Sequence, residues 1–178
     1  MEKIYEFQLH FTSGASYTSA GAVDLRNRQR RFADLYDKVV AVSTSGLAQH
    51  TDNVHYAFET GYRPMGDMVS KLVLRDLYGS NQPSQVAAPN IEYAYYADAT
   101  GKKVNIVTRN PDDQLVFPSA LLADFRIEGL STAVVISGSA SGNVISLTFD
   151  RDVRSGTGLS HIGHLGGEPF IVNAEGMG

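Results

Sequence analysis

The chain has 178 residues and contains neither cysteine nor tryptophan. Without cysteine it can form no disulfides and no thiolate metal sites, so cysteine usage does not indicate a redox compartment. No stretch approaches the ~20 apolar residues that span a bilayer. The N-terminus also lacks the basic and then apolar pattern of a signal peptide. We therefore expect no membrane partner and no signal peptide within this chain.

An excess of basic charge is also missing, because 15 Lys and Arg residues face 19 Asp and Glu residues, for a net charge of -4. Nucleic-acid-binding domains usually carry a basic footprint, so we expect no nucleic-acid partner. One local cluster, Arg26, Arg28, Arg30 and Arg31, is interpreted as the solvated face of a helix. The 43% of hydrophobic residues is enough for a folded core in one ordinary domain or two small ones.

The first part of the chain has the pattern of an α/β fold. Residues 4–11 predict a strand covered on both faces, 22–36 an amphipathic helix, and 39–42 a short buried strand of a parallel sheet. A second helix is predicted from about Pro64 to Tyr78, with Gly79 as its C-terminal stop. This order predicts part of a parallel sheet with helices over residues 1–79.

After a polar segment with two prolines, the periodicity changes from helical to β. We predict a linker over residues 80–90 and an antiparallel, β-sandwich-like accessory region over residues 91–178. Its predicted strands are 91–97, 104–108, 123–127, 133–137 and 144–149, with hairpin turns at 98–101 and 139–142. The predicted fold class is therefore α/β followed by an antiparallel β-rich region.

An acid precedes a histidine by three residues in the stretch Asp52-Asn53-Val54-His55, directly beyond the predicted strand 39–42. In an open α/β sheet, ligands gather at the carboxyl ends of the strands. An aspartate there can hold an imidazole in one tautomer and stabilise its protonated form, as the acid and base of a serine-hydrolase triad do. The alternative is a surface histidine without a partner and an aspartate that caps a turn.

This stretch, followed by Gly61-Tyr62-Arg63-Pro64-Met65-Gly66, resembles the SGNH hydrolases. The similarity is greater to the sialate O-acetylesterase-like carbohydrate esterases and to the deacetylase domains of phage tailspikes. In that family the last sequence block is Asp-x-x-His, followed by a glycine-rich helix start and an accessory β-region. The resemblance implies that Asp52 is the catalytic acid and His55 the catalytic base, that the substrate is an acetylated carbohydrate, and that no cofactor or metal takes part.

The family's other blocks do not occur in the chain. There is no Gly-Asp-Ser nucleophile block, and nothing matches the Gly and Asn blocks that help to build the oxyanion hole. Ser13, Ser16 and Ser19 lie in a Thr-Ser-Gly-Ala-Ser context without a nucleophile elbow, so they are interpreted as turn and cap residues. We therefore expect the C-terminal portion of such an enzyme, inactive alone, whose serine comes from an upstream part or another chain.

The alternative function is a non-catalytic structural or glycan-binding module of a phage tail fibre or tailspike, in which the Asp-His pair is a relic. Both functions lead us to expect an extracellular or virion-associated protein, and both leave a homo-oligomer open.

Two further groups of residues could form binding sites. His161 and His164, with Glu168, could suggest a metal site, but an odd separation places the two histidines on opposite faces of a strand, so we expect no metal. Tyr93, Tyr95 and Tyr96 could stack on sugar rings, but tyrosine is also a favoured strand residue, and packing is the preferred interpretation.

Overall fold

A computed structural model describes residues 2–9, 20–52, 54–81, 86–161 and 171–177. The described residues form two compact units. The first comprises those up to Ala88 together with Met177, and the second comprises those from Pro89 to His161 together with residues 171–176. The first unit contains a parallel sheet with helices and the second contains antiparallel sheets, so the coarse fold class predicted from the sequence is confirmed.

The first unit begins with a strand, helix and strand: β1 (Ile4–Phe7), α1 (Ala20–Leu35) and β2 (Val39–Val42). The two strands pair in parallel, with Ile4 opposite Val39 and Phe7 opposite Val42. A π-helical turn, Phe58–Tyr62, then leads directly into α2 (Arg63–Tyr78). Gly79 ends α2 in the left-handed conformation, with φ 61°, as its position predicted.

A small core holds the first unit together. Val42, Leu72 and Val86 are buried in it, so a residue within the predicted linker belongs to the packing of this unit. The strand β1 is less covered than the sequence predicted, because Ile4 is 61% exposed and Phe7 40% exposed. Positions 10 and 11 of the predicted strand lie outside the described residues.

The second unit consists mainly of antiparallel strands. They are β3 (Ile91–Tyr96), β4 (Lys103–Thr108), β5 (Phe125–Glu128), β6 (Val135–Ser141), β7 (Val144–Phe149) and β8 (Gly158–His161). A four-stranded sheet has the order β3-β4-β7-β6, and β5 pairs with β8 in a separate two-stranded sheet. The region predicted to start a strand at Ala123 instead forms a 3₁₀ helix, Ser119–Asp124, before β5.

One face of the four-stranded sheet supplies the core of the second unit. Inward-facing residues of β4 and β7, such as Ile106 and Leu147, pack with Phe125 and Ile127 of β5 and with Phe149. This alternation of buried and exposed residues is the pattern expected of a sheet that packs on one face. The side chains on the opposite face of the sheet do not belong to this core.

Replacing Phe149 by alanine should strongly destabilise the second unit. The side chain is fully buried, so its removal loses apolar burial and leaves a cavity, which costs about 3–5 kcal/mol. Urea unfolding followed by circular dichroism measures the change. Ile136→Ala is the matched control, because Ile136 is 59% exposed and its truncation should change the free energy by less than about 0.5 kcal/mol. Equal effects of the two substitutions would contradict this assignment of the core.

Candidate active site

The residues that follow β2 fold back on themselves in a short hairpin. Its base is an antiparallel bridge between Gln49 and Tyr56. The N–H of Ala57 donates to the carbonyl of Ala48 at 2.9 Å, and the N–H of His50 donates to the carbonyl of His55 at 2.8 Å. Positions 50 and 55 therefore face each other across the hairpin, and Asp52 lies at its tip.

The carboxylate of Asp52 makes separate contacts with each of its two oxygens. Oδ1 accepts the backbone N–H groups of Val54, at 2.9 Å, and of His55, at 3.0 Å. Oδ2 lies 2.8 Å from Nδ1 of the His55 ring. These hydrogen bonds, led by the one from the His55 backbone, hold the pKa of Asp52 well below its usual range. Asp52 is therefore ionised at neutral pH.

An ionised carboxylate can only accept hydrogen bonds, so the Nδ1 atom of His55 must carry the hydrogen. In the neutral ring the lone pair then lies on Nε2, on a side chain that is 64% exposed. This is the tautomer that a general base needs, since Nε2 can take a proton from a hydroxyl while the carboxylate stabilises the resulting cation. The structure thus brings Asp52 and His55 together in an arrangement suited to proton transfer, and their catalytic role stays a prediction.

A second histidine, missed in the sequence analysis, shares the same carboxylate. Nδ1 of His50 lies 3.2 Å from Oδ2 of Asp52, and the side chain of His50 is 54% exposed. The signal that could have found it is the hairpin itself, because a turn centred between positions 50 and 55 makes them cross-strand neighbours. The tip of the hairpin therefore carries one acid and two imidazoles.

Arg26 of α1 ties the start of this loop to the end of β1. Its guanidinium donates to Oγ of Ser45 at 2.9 Å and to the carbonyl of Leu9 at 3.1 Å. Burial lowers the pKa of Arg26 from its ordinary value. The interpretation of Arg26 as part of a solvated face is therefore wrong, because its side chain donates hydrogen bonds both to the segment after β1 and to the loop after β2.

Gly61 allows the π-helical turn to approach the hairpin closely. A Cβ at this position would lie 2.7 Å from the carbonyl oxygen of Ala48 and 2.7 Å from Cβ of Tyr56. The ring of Tyr56 also contacts Tyr62 edge to face, with centroids 5.5 Å apart. Gly61, which lies in the glycine-containing stretch before the predicted helix, thus has a packing role that fixes the hairpin against the π-helical turn.

Of the other histidines and serines named in the sequence analysis as possible site residues, the structure describes one. His161 lies in β8, whereas His164, Glu168, Ser13, Ser16 and Ser19 lie outside the described residues. Among the described residues, no group of three His, Asp or Glu side chains could hold a metal ion. No serine hydroxyl of the described segments hydrogen bonds to the His55 ring. No helix in those segments is long and apolar enough to cross a membrane.

Comparison with known proteins gives a similarity of fold. No protein-family model matches the chain, and no curated protein matches it in sequence. Its structure is similar to the crystal structure of a carbohydrate acetylesterase from Xanthomonas citri, with a TM-score of 0.67 and 15% sequence identity. The match covers 98% of this chain but 38% of the acetylesterase. The chain thus has the fold of a part of that enzyme.

Replacing Asp52 by alanine should loosen the tip of the hairpin. The amides of Val54 and His55 would lose their acceptor, so their hydrogen exchange should accelerate by about tenfold, as expected for the loss of such a cap. Asp52→Asn is the matched control, because its side-chain carbonyl can still accept both bonds. Exchange measured by NMR at neutral pH distinguishes the variants.

The pH dependence of this cap follows from the lowered pKa. The charged carboxylate is favoured by the fold, so its contribution is complete above the ordinary pKa of about 4 and is lost only as the pH falls toward the lowered value. Exchange of the Val54 amide that was as fast in the wild type as in Asp52→Ala would contradict the contact.

Replacing Gly61 by alanine should destabilise the first unit, because the new methyl group would press against backbone and Cβ atoms that cannot move freely. Overpacking of this kind costs roughly 1–3 kcal/mol. Gly66→Ala is the matched control, since Gly66 lies in α2 with no atom near an added Cβ, and it should stabilise the helix by roughly 0.5–1 kcal/mol. Thermal unfolding would show opposite shifts, and a stabilised Gly61→Ala protein would contradict the close approach.

Proposed function

We propose that this chain supplies the acid, Asp52, and the base, His55, of a Ser-His-Asp triad in a carbohydrate O-acetylesterase of the SGNH type. The nucleophilic serine would come from outside these 178 residues. The observation that carries the proposal is the 2.8 Å contact between Nδ1 of His55 and the carboxylate of Asp52, on an exposed hairpin beyond the carboxyl end of β2. The substrate would be an acetylated glycan.

The chemistry follows from the protonation states at this hairpin. Nε2 of His55 would take the proton of the serine hydroxyl as its oxygen attacks the acetyl carbonyl. The imidazolium, stabilised by Asp52, would then give that proton to the departing sugar oxygen and leave an acetyl-serine. A water molecule, activated by His55 in the same way, would release acetate. Donors for the oxyanion would also come from outside this chain.

The surface of the first unit supports the idea that more protein completes it. Large apolar side chains are exposed on β1 and α1, namely Ile4, Phe7, Leu25, Phe32 and Leu35. Exposed apolar side chains of this size are candidates for an interface. Parallel sheets are also normally larger and covered on both faces, whereas in the described part of the chain β1 and β2 form a sheet of two strands. Both features fit a part of a larger α/β domain, as does the similarity to part of an acetylesterase.

A non-catalytic structural or glycan-binding module is the second candidate function. The observation that favours it is that Oδ1 of Asp52 caps the turn through two backbone amides, so the aspartate has a structural use independent of any reaction. In this function His55 is an exposed surface histidine without a catalytic role. The two functions differ in whether the imidazole activates a serine.

The decisive experiment uses the complete polypeptide that contains this chain, together with any partner chain that copurifies with it. A fluorophosphonate probe should label an activated serine, and mass spectrometry should locate that serine outside residues 1–178. His55→Ala should abolish labelling and lower kcat for acetate release by roughly four to six orders of magnitude, because the base is lost. Asp52→Asn should lower kcat by about 10⁴-fold.

His50→Ala is the matched control, since His50 contacts the same carboxylate oxygen and is similarly exposed. It should retain labelling and most of the turnover. The isolated 178-residue chain should show no turnover. Labelling of a serine within the chain would refute the external nucleophile, and full activity of the His55→Ala protein would refute the role of His55.

A further inference from the structure

Two tyrosines of the edge strand β3 project from the sheet side by side. The rings of Tyr93 and Tyr95 have centroids 6.1 Å apart and an interplanar angle of 37°. Tyr93 is 52% exposed and Tyr95 45% exposed, so the interpretation of these tyrosines as packed strand residues is wrong. Tyr96 is also 47% exposed, but it pairs with the buried Val104 and therefore lies on the core-facing side of the same strand.

The row of the sheet that contains Tyr95 is polar along its whole width. Tyr95 pairs with Asn105, Asn105 with Ser146, and Ser146 with Ser139, so these four side chains form one row across four strands. Nδ2 of Asn105 donates to the Tyr95 hydroxyl at 3.0 Å and holds that ring in place. The row of Tyr93 continues through Val107 and Val144 to Ser141. The row on the other side of Tyr95 adds two hydroxyls and a single charge, from Ser137, Thr148 and Lys103.

We infer that this outer face, with Tyr93 and Tyr95 as its aromatic platform and Asn105 and Ser146 beside them, binds a neutral glycan chain. A sugar ring has an apolar face of C–H groups and a rim of hydroxyls, so it needs an aromatic surface flanked by hydrogen-bonding groups. Tyrosine rings provide the first at low cost in conformational entropy, and the amide oxygen of Asn105 and the serine hydroxyls provide the second.

Aromatic rings can stack on nucleic-acid bases as well as on sugars, and the low charge of this outer face distinguishes between these ligands. Nucleic acid and acidic glycans require several basic groups along their path, whereas Lys103 is the one charged member of the three paired rows described above. A protein partner would favour a more apolar centre than Asn105, Ser146 and Ser139 provide beside the single pair of Val107 and Val144. A surface of aromatic rings, hydroxyls and an amide with one charged residue is therefore matched best by an uncharged polysaccharide.

This face belongs to the second unit, whereas the hairpin of Asp52 and His55 belongs to the first, and the inference goes beyond the proposed hydrolysis without depending on it. Glycan binding can be present whether or not the chain takes part in an esterase. The face contains no acid and base pair, so it would hold a polysaccharide rather than react with it.

The test is binding of the 178-residue chain to an array of neutral glycans that includes α- and β-linked glucans, mannans, xylans and galactans. The wild type should bind at least one of them, and Tyr93→Ala/Tyr95→Ala should weaken that binding by about tenfold or more. Tyr96→Ala is the matched control, because it removes an equally exposed tyrosine from the other side of the same strand. It should bind as the wild type does.

Further variants separate this inference from its alternatives. Tyr95→Phe should retain most of the affinity, since the ring remains, and this result does not depend on the proposed esterase function. Circular dichroism checks that each variant folds. Absence of binding to every glycan, or equal binding by the double variant and the wild type, would overturn the inference. So would a double variant that converts an oligomer into a monomer in sedimentation, since the face would then be an interface between copies.

Discussion

The carboxylate of Asp52 holds the backbone of the hairpin and the side chain of His55 at the same time. Oδ1 accepts two backbone amides and Oδ2 faces the imidazole, so the geometry of the proposed acid and base depends on the turn that the acid itself stabilises. A separation of three residues suffices for this because the chain reverses between them. Because one side chain has both roles, the effect of replacing Asp52 by alanine cannot be assigned to one of them, since the substitution removes a cap and a charge together. Asparagine removes the charge alone.

The hairpin is positioned by contacts that reach back into the first unit. Arg26 joins the loop after β2 to the end of β1, and Gly61 lets the π-helical turn pack against Ala48 and Tyr56. These contacts are polar or steric, and the apolar core beneath them is small. A site held in this way gains rigidity if further protein covers the exposed apolar side chains of β1 and α1, as we propose, because the parallel sheet would then be buried on both faces.

Local patterns in the sequence predicted the elements well where one residue type decides the outcome. Gly79 ends α2 and the β-branched run 39–42 forms β2, as predicted. The contact between Asp52 and His55 was predicted from their separation of three residues and their position beyond the strand 39–42. The predictions that failed depend on tertiary structure. Arg26 is partly buried and hydrogen bonded by segments distant in sequence, and His50 reaches the carboxylate only because a hairpin places it opposite His55. Periodicity carries no information about such pairings.

The two histidines at the tip are not equivalent, although one oxygen can accept from both rings. Nδ1 of His55 is closer to Oδ2, at 2.8 Å against 3.2 Å for His50. The backbone N–H of His55 also donates to Oδ1, so both the main chain and the ring of His55 are fixed relative to the same carboxylate. His50 contacts Asp52 through its ring alone, and its backbone is tied instead to the carbonyl of His55. Catalysis by a general base requires a fixed direction of the reacting lone pair, since small displacements cost large factors in rate. His55 therefore fits the role of the base better. His50 contacts the same carboxylate, but its backbone is not fixed to that carboxylate.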